Sequence, residues 1–314
     1  MKRLIAVLYS LLLLGLSSQL TAASTSLPET IPADPENTQS NFKATPASHC
    51  LSVATQNLWH DNFEYEKRAQ TLRRELEKGP LADIVAFQEA WIWHTGDSLF
   101  TDFIAWSGYQ PFFRQTISRE RFTEGIALAS QAAPTRLMAE TLPHNTVVGK
   151  RVILGARYRI RGITIRVFNV HFMPGPEPLE FIRKDQMQTL LDRTKPFIAK
   201  EPVIVLGDFN ATPGSKTIAE MKAAGFEDVF GNTSIITYDK ANPYNWWSVS
   251  KRLDYIFFNK AFLSVKNANL IFKENLISDH YGIRAELCLK RNRPAGARIE
   301  AWKPLPMRIN AARN

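Results

Sequence analysis

Val203–Gly214, with the sequence VIVLGDFNATPG, decides the fold. Its first five residues are an apolar, β-branched run that is too short for a helix and predicts a strand buried on both faces. Asp208 and Asn210 follow, and strand alternation points both side chains to the same side of the strand end. A carboxylate and an amide held together there suit a hard metal ion or a phosphoryl oxygen. The alternative is an ordinary strand-to-turn signal, because Asp and Asn favour turns.

Residues 1–23 have the features of a secretory signal peptide. Lys2 and Arg3 precede the apolar run Leu4–Leu16, and Thr21–Ala23 supplies small residues for cleavage. We therefore expect a secreted protein, periplasmic or extracellular; the alternative is an uncleaved N-terminal anchor. No later stretch reaches the roughly 18 apolar residues that a membrane span needs, so we expect no transmembrane anchor after cleavage.

Two segments of biased composition flank the part that we expect to fold. Residues 24–49 are rich in Pro, Thr, Ser and Ala and predict a mobile leader. Residues 290–314 hold seven basic residues and one acid, which makes a basic C-terminal tail. With Lys2 and Arg3, this tail accounts for eight of the nine net positive charges, so the region between is close to neutral. The tail can bind an anionic surface, or it can simply keep the chain soluble.

Residues 50–289 alternate between strand and helix patterns. Short alternating or β-branched runs predict strands at Cys50–Gln56, Asp83–Phe87, Gly125–Ser130, Arg151–Tyr158, Ile163–Val170, Leu253–Phe258 and Tyr281–Leu289, besides Val203–Gly207. Apolar residues at helical spacing predict helices at Glu64–Lys78, Ser98–Trp106, Leu179–Phe197 and Ser215–Ala224. Strands that alternate with a few helices indicate an α/β or α+β sandwich.

Polar residues recur where these apolar strands end. They are Asn57, Glu89, His171, Asp208, Asn210, Asp254, Asp279 and His280. Each has an ordinary alternative: Asn57 as a turn residue, Glu89 as a solvated strand end, His171 as a core histidine, and Asp254 as the surface partner of Arg252. Eight such residues at strand ends together predict a site, because loops on a rigid sheet are where sites form.

Seven blocks of the sequence resemble one known superfamily. TQNLW, FQEAW, EGIALAS, NVHF, GDFNATP, RLDYIFF and SDHYGI occur in this order within residues 50–289. This order resembles the endonuclease/exonuclease/phosphatase superfamily, which includes deoxyribonuclease I, apurinic endonucleases, bacterial sphingomyelinases and inositol polyphosphate 5-phosphatases. The resemblance implies a deoxyribonuclease I-like fold over residues 50–289: a four-layer sandwich of two packed mixed β-sheets flanked by helices, with the site at one edge.

The resemblance also implies a metal ion. Glu89 resembles the family's metal carboxylate, Asn57 would help to hold the metal or the phosphate, and Asp279 would bind metal or steady the site. One carboxylate with waters fits Mg²⁺, which rarely takes an all-protein cage. We expect Mg²⁺, with Mn²⁺ or Ca²⁺ as alternatives.

Matching the remaining blocks implies the catalytic roles. His280 resembles the general base that activates water, and Asp254 would orient and charge-stabilise it. Asp208 and Asn210 would position the water and a phosphoryl oxygen, while His171 would donate to the developing negative charge. The reaction would be in-line attack of water on phosphorus, with the metal neutralising charge. The sequence leaves open whether Asp208 or His280 takes the proton.

The same resemblance implies that the first and last strands are antiparallel neighbours, with Asn57 near His280. Cys50 precedes Asn57 by seven residues and Cys288 follows His280 by eight, so the two cysteines would come level. We therefore predict a Cys50–Cys288 disulfide, which an oxidising compartment permits. The alternative is a pair of buried, reduced cysteines.

Two predicted loops are candidates for reading the substrate. The loop Arg114–Arg121 carries Arg114, Arg119 and Arg121, which could bind phosphates or be merely solvated. Trp246 and Trp247 could stack on a base, enter a membrane interface or pack in the core.

His171 in the NVHF block places the chain with the deoxyribonuclease I and sphingomyelinase branches. The deoxyribonuclease I branch usually has a Glu just before the strand of RVILGARY, to pair with the site histidine. Lys150 and Arg151 stand there in this chain, which weakens a close match to that nuclease.

These expectations combine into a secreted, monomeric, Mg²⁺-dependent phosphohydrolase, specifically a phosphodiesterase. A lipid or small-molecule phosphodiester is favoured as the substrate over nucleic acid, because a nuclease usually shows more positive charge near its site. The alternatives are a nuclease that cleaves DNA or RNA and a catalytically inactive binding module with the same fold.

Overall fold

The computed structural model describes residues 49–60, 63–144, 149–292 and 294. Its strands are β1 (Cys50–Asn57), β2 (Ile84–Trp93), β3 (Gln110–Ser118), β4 (Phe122–Ser130), β5 (Arg136–Thr141), β6 (Val152–Ile160), β7 (Ile163–His171), β8 (Val203–Asp208), β9 (Phe226–Asp228), β10 (Asp254–Asn259), β11 (Leu263–Ile271) and β12 (Gly282–Leu289). Its helices are α1 (Tyr65–Glu77), α2 (Leu99–Ser107), α3 (Glu180–Thr194) and α4 (Lys216–Ala223), with a 3₁₀ turn at Glu177–Leu179.

The strands form two mixed six-stranded sheets. The first has the order β11-β12-β1-β2-β4-β3, and the second has the order β5-β6-β7-β8-β10-β9. Each sheet contains one parallel pair, β1 with β2 and β7 with β8, and antiparallel pairs elsewhere. A parallel pair needs a long crossover, which α1 supplies in the first sheet and α3 in the second.

Apolar side chains fill the space between the two sheets and under the helices. Inner-face residues such as Ile84, Leu206 and Ile283 are fully buried in the cluster between the sheets. α1 and α2 cover the outer face of the first sheet, and α3 and α4 cover that of the second, for example through Leu72 and Met187. The described chain therefore has the four-layer architecture that the sequence blocks implied.

A buried polar contact crosses this apolar interior. Gln88 Nε2 of β2 donates to Asn169 Oδ1 of β7 over 2.7 Å, and both side chains are completely buried. Asn169 Nδ2 donates in turn to the carbonyl oxygens of Phe87 and Ala127, at 2.9 and 2.8 Å. The contact thus ties the two sheets together one residue before Glu89 and two residues before His171.

Four strands are absent from the sequence-based expectation: β3, β5, β9 and β11. They are the four edge strands of the two sheets. Their residues are largely half-buried or exposed in β3, β5 and β11, and β9 has only three residues, so none carries a strong apolar pattern. The expected loop Arg114–Arg121 is wrong in part, because β3 extends to Ser118 and includes Arg114.

The predicted disulfide is confirmed. β1 and β12 pair antiparallel with Cys50 opposite Cys288, and the two sulfur atoms are bonded. Both cysteines of the chain are thereby used, and the bond closes a segment with a sequence separation of 238.

The predicted signal peptide lies outside the described residues, as do the predicted leader before residue 49 and the tail beyond residue 294. Among the described residues, no helix has both the length and the apolar character that crossing a membrane requires.

Replacing Cys50 and Cys288 together by Ala is expected to lower the free energy of unfolding by about 2–5 kcal/mol, because the unfolded chain loses a long cross-linked loop. Chemical denaturation without reductant measures this. Activity well below the unfolding temperature should not change, since Asn57 lies roughly 20 Å along β1 from the disulfide at about 3.3 Å per residue. An unchanged unfolding free energy would contradict the assigned contribution.

Candidate active site

The candidate site forms where the ends of strands from both sheets meet. β7 ends at His171 directly beside Asp208, the last residue of the parallel strand β8. Asp254 begins the antiparallel strand β10 and is paired with Asp208 across the ladder. Asn57 ends β1 in the other sheet. Strand register therefore places His171, Asp208 and Asp254 together, and a hydrogen bond from Asn57 Nδ2 to Asp208 Oδ2 brings Asn57 to the same edge of the sandwich.

Glu89 reaches the site through an irregularity inside a strand. The sequence predicted that β2 ends near Phe87, but β2 continues to Trp93, with a register shift between Phe87 and Ala90 against β4. Glu89 lies in this bulge with φ of 50°, a left-handed conformation that is costly for a non-glycine residue. The bulge re-aims the carboxylate, so Glu89 belongs to the site as predicted but not at a strand end.

Asn57 connects the carboxylates of the two sheets. Its Nδ2 donates to Glu89 Oε1 at 3.0 Å and to Asp208 Oδ2 at 3.1 Å. Its oxygen accepts from the backbone N–H of Trp59 at 2.9 Å, which fixes the amide orientation. The side chain therefore presents a donor, and not its oxygen, to the two acids.

His280 and Asp254 form a buried pair. His280 Nδ1 lies 2.8 Å from Asp254 Oδ2, and both side chains are almost fully buried. The backbone at His280 is held by Ser278 Oγ, which accepts from its N–H, and by Gln56 Nε2, which donates to its carbonyl. Burial alone would lower the pKa of His280, but the charge of Asp254, with those of Asp279 and Asp208, raises it well above its usual value.

His171 has a different neighbour. Arg151 Nη1 lies 2.7 Å from His171 Nδ1, while His171 Nε2 lies 3.7 Å from Asp208 Oδ2 and 3.8 Å from Glu89 Oε1. Burial and the charge of Arg151 hold the pKa of His171 well below its usual value. The ordinary alternative of a core histidine does not describe this residue, because one edge of its ring faces the acids of the site.

A backbone N–H fixes Asp208 relative to Asn210. The N–H of Asn210 donates to Asp208 Oδ1 at 2.8 Å, and Asn210 Nδ2 donates to the carbonyl of Phe172 at 3.1 Å. Asn210 has φ of 48°, a conformation that Asn tolerates better than most residues. Burial, together with the charge of Asp254, raises the pKa of Asp208 to about 7.

The surface alternative for Asp254 is wrong. Arg252 binds Asp228 instead, with Nη2 to Oδ1 at 2.6 Å, and both of these side chains are buried. Asp254 Oδ1 is also buried and has no hydrogen-bond partner among the described residues.

Sequence reasoning missed two residues that surround Glu89. His60 Nδ1 makes a close contact with Glu89 Oε2, and its ring stacks on Trp91 with 5.2 Å between the centroids. Burial opposes protonation of His60, but Glu89 outweighs it and raises the pKa of His60 to about 9. Glu124 is buried nearby, and burial and the charge of Glu89 raise its pKa. Their positions gave a signal, because His60 directly follows the TQNLW block and Glu124 opens EGIALAS.

A third missed residue supports the loops of the site. Arg68 of α1 is almost completely buried, and its guanidinium donates to the carbonyl oxygens of Leu58, Trp59 and Ile277. It thereby pins the segment after Asn57 to the segment before Asp279. Nothing in the helical pattern of α1 distinguishes this arginine from a solvated one.

The residues present fit a divalent cation. Five acidic side chains crowd the site: Glu89, Glu124, Asp208, Asp254 and Asp279. Asp208, Asp254 and His280 each place one ligand atom within 4.8 Å of the others, and this group includes the unpartnered Asp254 Oδ1 among its carboxylate oxygens. Burial raises the pKa of Asp279 to about 6. Carboxylate oxygens are the ligands that hard cations take. A bound cation would relieve the repulsion between these crowded carboxylates.

The predicted substrate arginines are exposed on β3 and in the turn that follows it. Arg114 is exposed on β3, while Arg119 and Arg121 are exposed in the turn between β3 and β4. Burial raises the pKa of Glu124, and the charge of Arg119 partly offsets this rise. The turn that carries Arg119 therefore lies near Glu124.

The two predicted tryptophans lie on the surface, which excludes the core-packing alternative. Trp246 is 57% exposed and Trp247 is 71% exposed. Trp246 packs edge-on against Trp59 at 5.7 Å and against Phe63 at 6.0 Å. Trp59 is the residue whose N–H binds Asn57, so this aromatic surface adjoins the site.

Residues 54–280 match the model of the Endonuclease/Exonuclease/phosphatase family, and this range includes Asn57, Glu89, His171, Asp208, Asn210, Asp254, Asp279 and His280. The chain belongs to this family. It is therefore a hydrolase of a superfamily that acts on phosphoester bonds and generally uses divalent metals.

Solved structures share the fold. A family member from Leptotrichia buccalis C-1013-b has 22% identity and a TM-score of 0.60, covering 76% of this chain and 99% of its own. A humanized D. rerio TDP2 has 23% identity and a TM-score of 0.60, with 76% and 99% covered. The human Nocturnin catalytic domain has 20% identity and a TM-score of 0.59, with 77% and 96% covered. A comparison with curated protein sequences found no significant match.

Glu89→Gln is expected to weaken binding of Mn²⁺, used as a probe for Mg²⁺, at least about 10-fold, since even outer-shell partners of a metal contribute about 10–100-fold. The free ion is counted by electron paramagnetic resonance. Glu77→Gln, at an exposed position of α1, is the matched control and should leave the affinity unchanged. Equal affinities for the two variants would show that Glu89 is not a ligand.

Proposed function

We propose that the protein is a secreted, Mg²⁺-dependent phosphodiesterase that activates water with the Asp254–His280 pair. The observation that carries the proposal is the arrangement of this pair at one strand edge, with Asp208 beside it and His171 and Glu89 around the same space. A base on one side and a hydrogen-bond donor on the other suit in-line attack at phosphorus.

Each side chain has a task in this reaction. Asp254 accepts from His280 Nδ1–H, which leaves Nε2 to take the proton of the attacking water. Asp208 and Asn210 orient that water and one phosphoryl oxygen, and His171 donates from Nε2 to another oxygen as negative charge develops. We assign the cation to Glu89 and Asp279 and not to the group of Asp208, Asp254 and His280, because His280 Nε2 has to stay free to take the proton. When bound, the cation neutralises the phosphoryl oxygens and offsets the carboxylates that favour a proton on His280.

The base assignment rests on geometry. Asp208 also lies beside the reaction space, but its Oδ1 accepts from Asn210 N–H and its Oδ2 accepts from Asn57 Nδ2. Each oxygen of Asp208 thus already accepts one hydrogen bond, whereas His280 has an orienting carboxylate behind it and one ring nitrogen left for water.

A lipid or small-molecule phosphodiester is the favoured substrate class. The part of the chain between the signal peptide and the tail is close to neutral, which gives little general attraction for a polyanion. Trp246 and Trp247 add an exposed aromatic surface next to the site. This surface suits an apolar or aromatic group on the substrate.

Nucleic acid is the second candidate, and two observations support it. Arg114 is exposed on β3, Arg119 and Arg121 are exposed in the turn before β4, and the exposed tryptophans could stack on bases. One structure with the same fold, D. rerio TDP2 at 20% identity, was solved with a single-stranded DNA product.

The proposal extends to the chain ends. Export would follow from residues 1–23, and the basic segment 290–314 would attach the monomer to anionic surfaces. The surface attachment is tested by retention on anionic vesicles. We expect retention at low salt and its loss at high salt or on deletion of 290–314. Equal retention without the tail would contradict the attachment.

The decisive assay compares bis(p-nitrophenyl) phosphate with p-nitrophenyl phosphate, using residues 24–314 with Mg²⁺ or with EDTA. We expect hydrolysis of the diester only, and only with Mg²⁺. His280→Ala should lower kcat by about 10²–10⁴, the usual contribution of a positioned acid–base group.

His144→Ala is the matched control, because His144 also contacts a carboxylate, that of Asp185, but at the surface. It should keep full activity. Preference for the monoester would move the assignment to a phosphatase, and an unchanged His280→Ala variant would support the inactive binding module. Sphingomyelin and plasmid DNA, tested side by side, then separate the two substrate classes.

A further inference from the structure

Arg151 contacts His171, and this contact determines which ring nitrogen of His171 carries the proton that the proposed reaction uses on Nε2. We propose that Arg151 is a positioning residue: its guanidinium donates to His171 Nδ1 and thereby fixes His171 as the neutral tautomer that carries its proton on Nε2. The catalytic consequence rests on the proposed function, whereas the tautomer itself does not.

The fold brings the two residues together through strand register. β6 and β7 are antiparallel, with Ile153 opposite Val170, so the start of β6 adjoins the end of β7. Arg151 immediately precedes β6 and His171 ends β7. Arg151 Nη1 and His171 Nδ1 are 2.7 Å apart, a normal hydrogen-bond distance, and His171 is 4% exposed.

The chemistry of the two groups leaves one assignment. A guanidinium has five N–H donors and no acceptor, and it stays charged in proteins. His171 Nδ1 must therefore accept, which it can do only when it carries no proton. A neutral imidazole has one N–H, so the proton is on Nε2.

Nε2 is the nitrogen that faces the reaction space. It lies 3.7 Å from Asp208 Oδ2 and 3.8 Å from Glu89 Oε1, which are both acceptors. An N–H that points between these oxygens is placed to donate to a phosphoryl oxygen. His171 is thus a hydrogen-bond donor in this site and has no free nitrogen with which to take a proton.

A carboxylate at position 151 would have the opposite effect. It would accept from Nδ1–H, so the neutral ring would present a bare Nε2 as an acceptor, and the charged ring would be stabilised. The residue before β6 therefore selects between a donating and an accepting histidine.

The direct test is the protonation pattern of His171 in protein labelled with ¹⁵N-histidine, read from two-bond ¹H–¹⁵N correlations at neutral pH. His171→Gln identifies the signals by their loss. We expect a protonated Nε2 and an unprotonated Nδ1. A protonated Nδ1 or a doubly protonated ring in the wild-type protein would overturn the proposal, whatever the activity measurements give.

Three variants connect the tautomer to catalysis. Arg151→Glu should change the pattern to a protonated Nδ1 and lower kcat on bis(p-nitrophenyl) phosphate by about 10–100-fold, the usual effect of a partner behind a working group, with a smaller change in KM. Arg151→Gln keeps a donor without the charge, so it should retain the Nε2–H tautomer and most of kcat. Lys150→Glu makes the same charge change at the exposed neighbouring residue and should alter neither.

The comparison separates donation from charge and from folding. If Arg151→Gln and Arg151→Glu lose kcat equally while both keep the Nε2–H tautomer, Arg151 acts by charge and the positioning role is wrong. If the diester is not a substrate at all, the proposed function fails, while the correlation spectra still decide the tautomer.

Discussion

The hydrogen bond between Gln88 and Asn169 is the constraint on which the site depends. Asn57, Glu89 and His280 belong to the first sheet or lie directly beside it, while His171, Asp208 and Asp254 belong to the second. An apolar core stabilises the packing of the two sheets but does not fix the position of one sheet relative to the other, because the hydrophobic effect has no direction. A buried amide pair has a direction and is costly to leave unpaired. Since it is next to Glu89 and two residues from His171, it holds the two halves of the site in one geometry, together with the contacts Asn57–Asp208 and His280–Asp254 at the site itself.

Two histidines of the site, His171 and His280, differ in the residue that contacts the Nδ1 atom of each ring. A carboxylate lies behind His280 and a guanidinium lies behind His171. The first partner requires a donor from Nδ1 and the second requires an acceptor there, so the outward nitrogen of one ring can accept while that of the other donates. In the proposed reaction the two histidines therefore have opposite roles, and the residue behind each ring determines which role it has.

Much of the fold and of the candidate site was predictable from the sequence, because apolar strands have strong sequence patterns. The central strands and the end positions of His171 and Asp208 follow from short apolar or alternating runs, and the level cysteines follow from the resemblance to the superfamily. The edge strands were missed because half-exposed residues erase the alternation, and Glu89 was placed at a strand end because a bulge has no sequence signal of its own. Arg68 and the His60 contact depend on tertiary packing that helix and loop patterns do not encode.

The central claim is that water attacks phosphorus at this site with the help of a bound cation. The most direct measurement is hydrolysis of bis(p-nitrophenyl) phosphate in H₂¹⁸O with Mg²⁺, followed by mass spectrometry of both products. Attack at phosphorus predicts one ¹⁸O in p-nitrophenyl phosphate, none in p-nitrophenol, and no products with EDTA. Label in the phenol, or equal product formation with EDTA, would contradict the account.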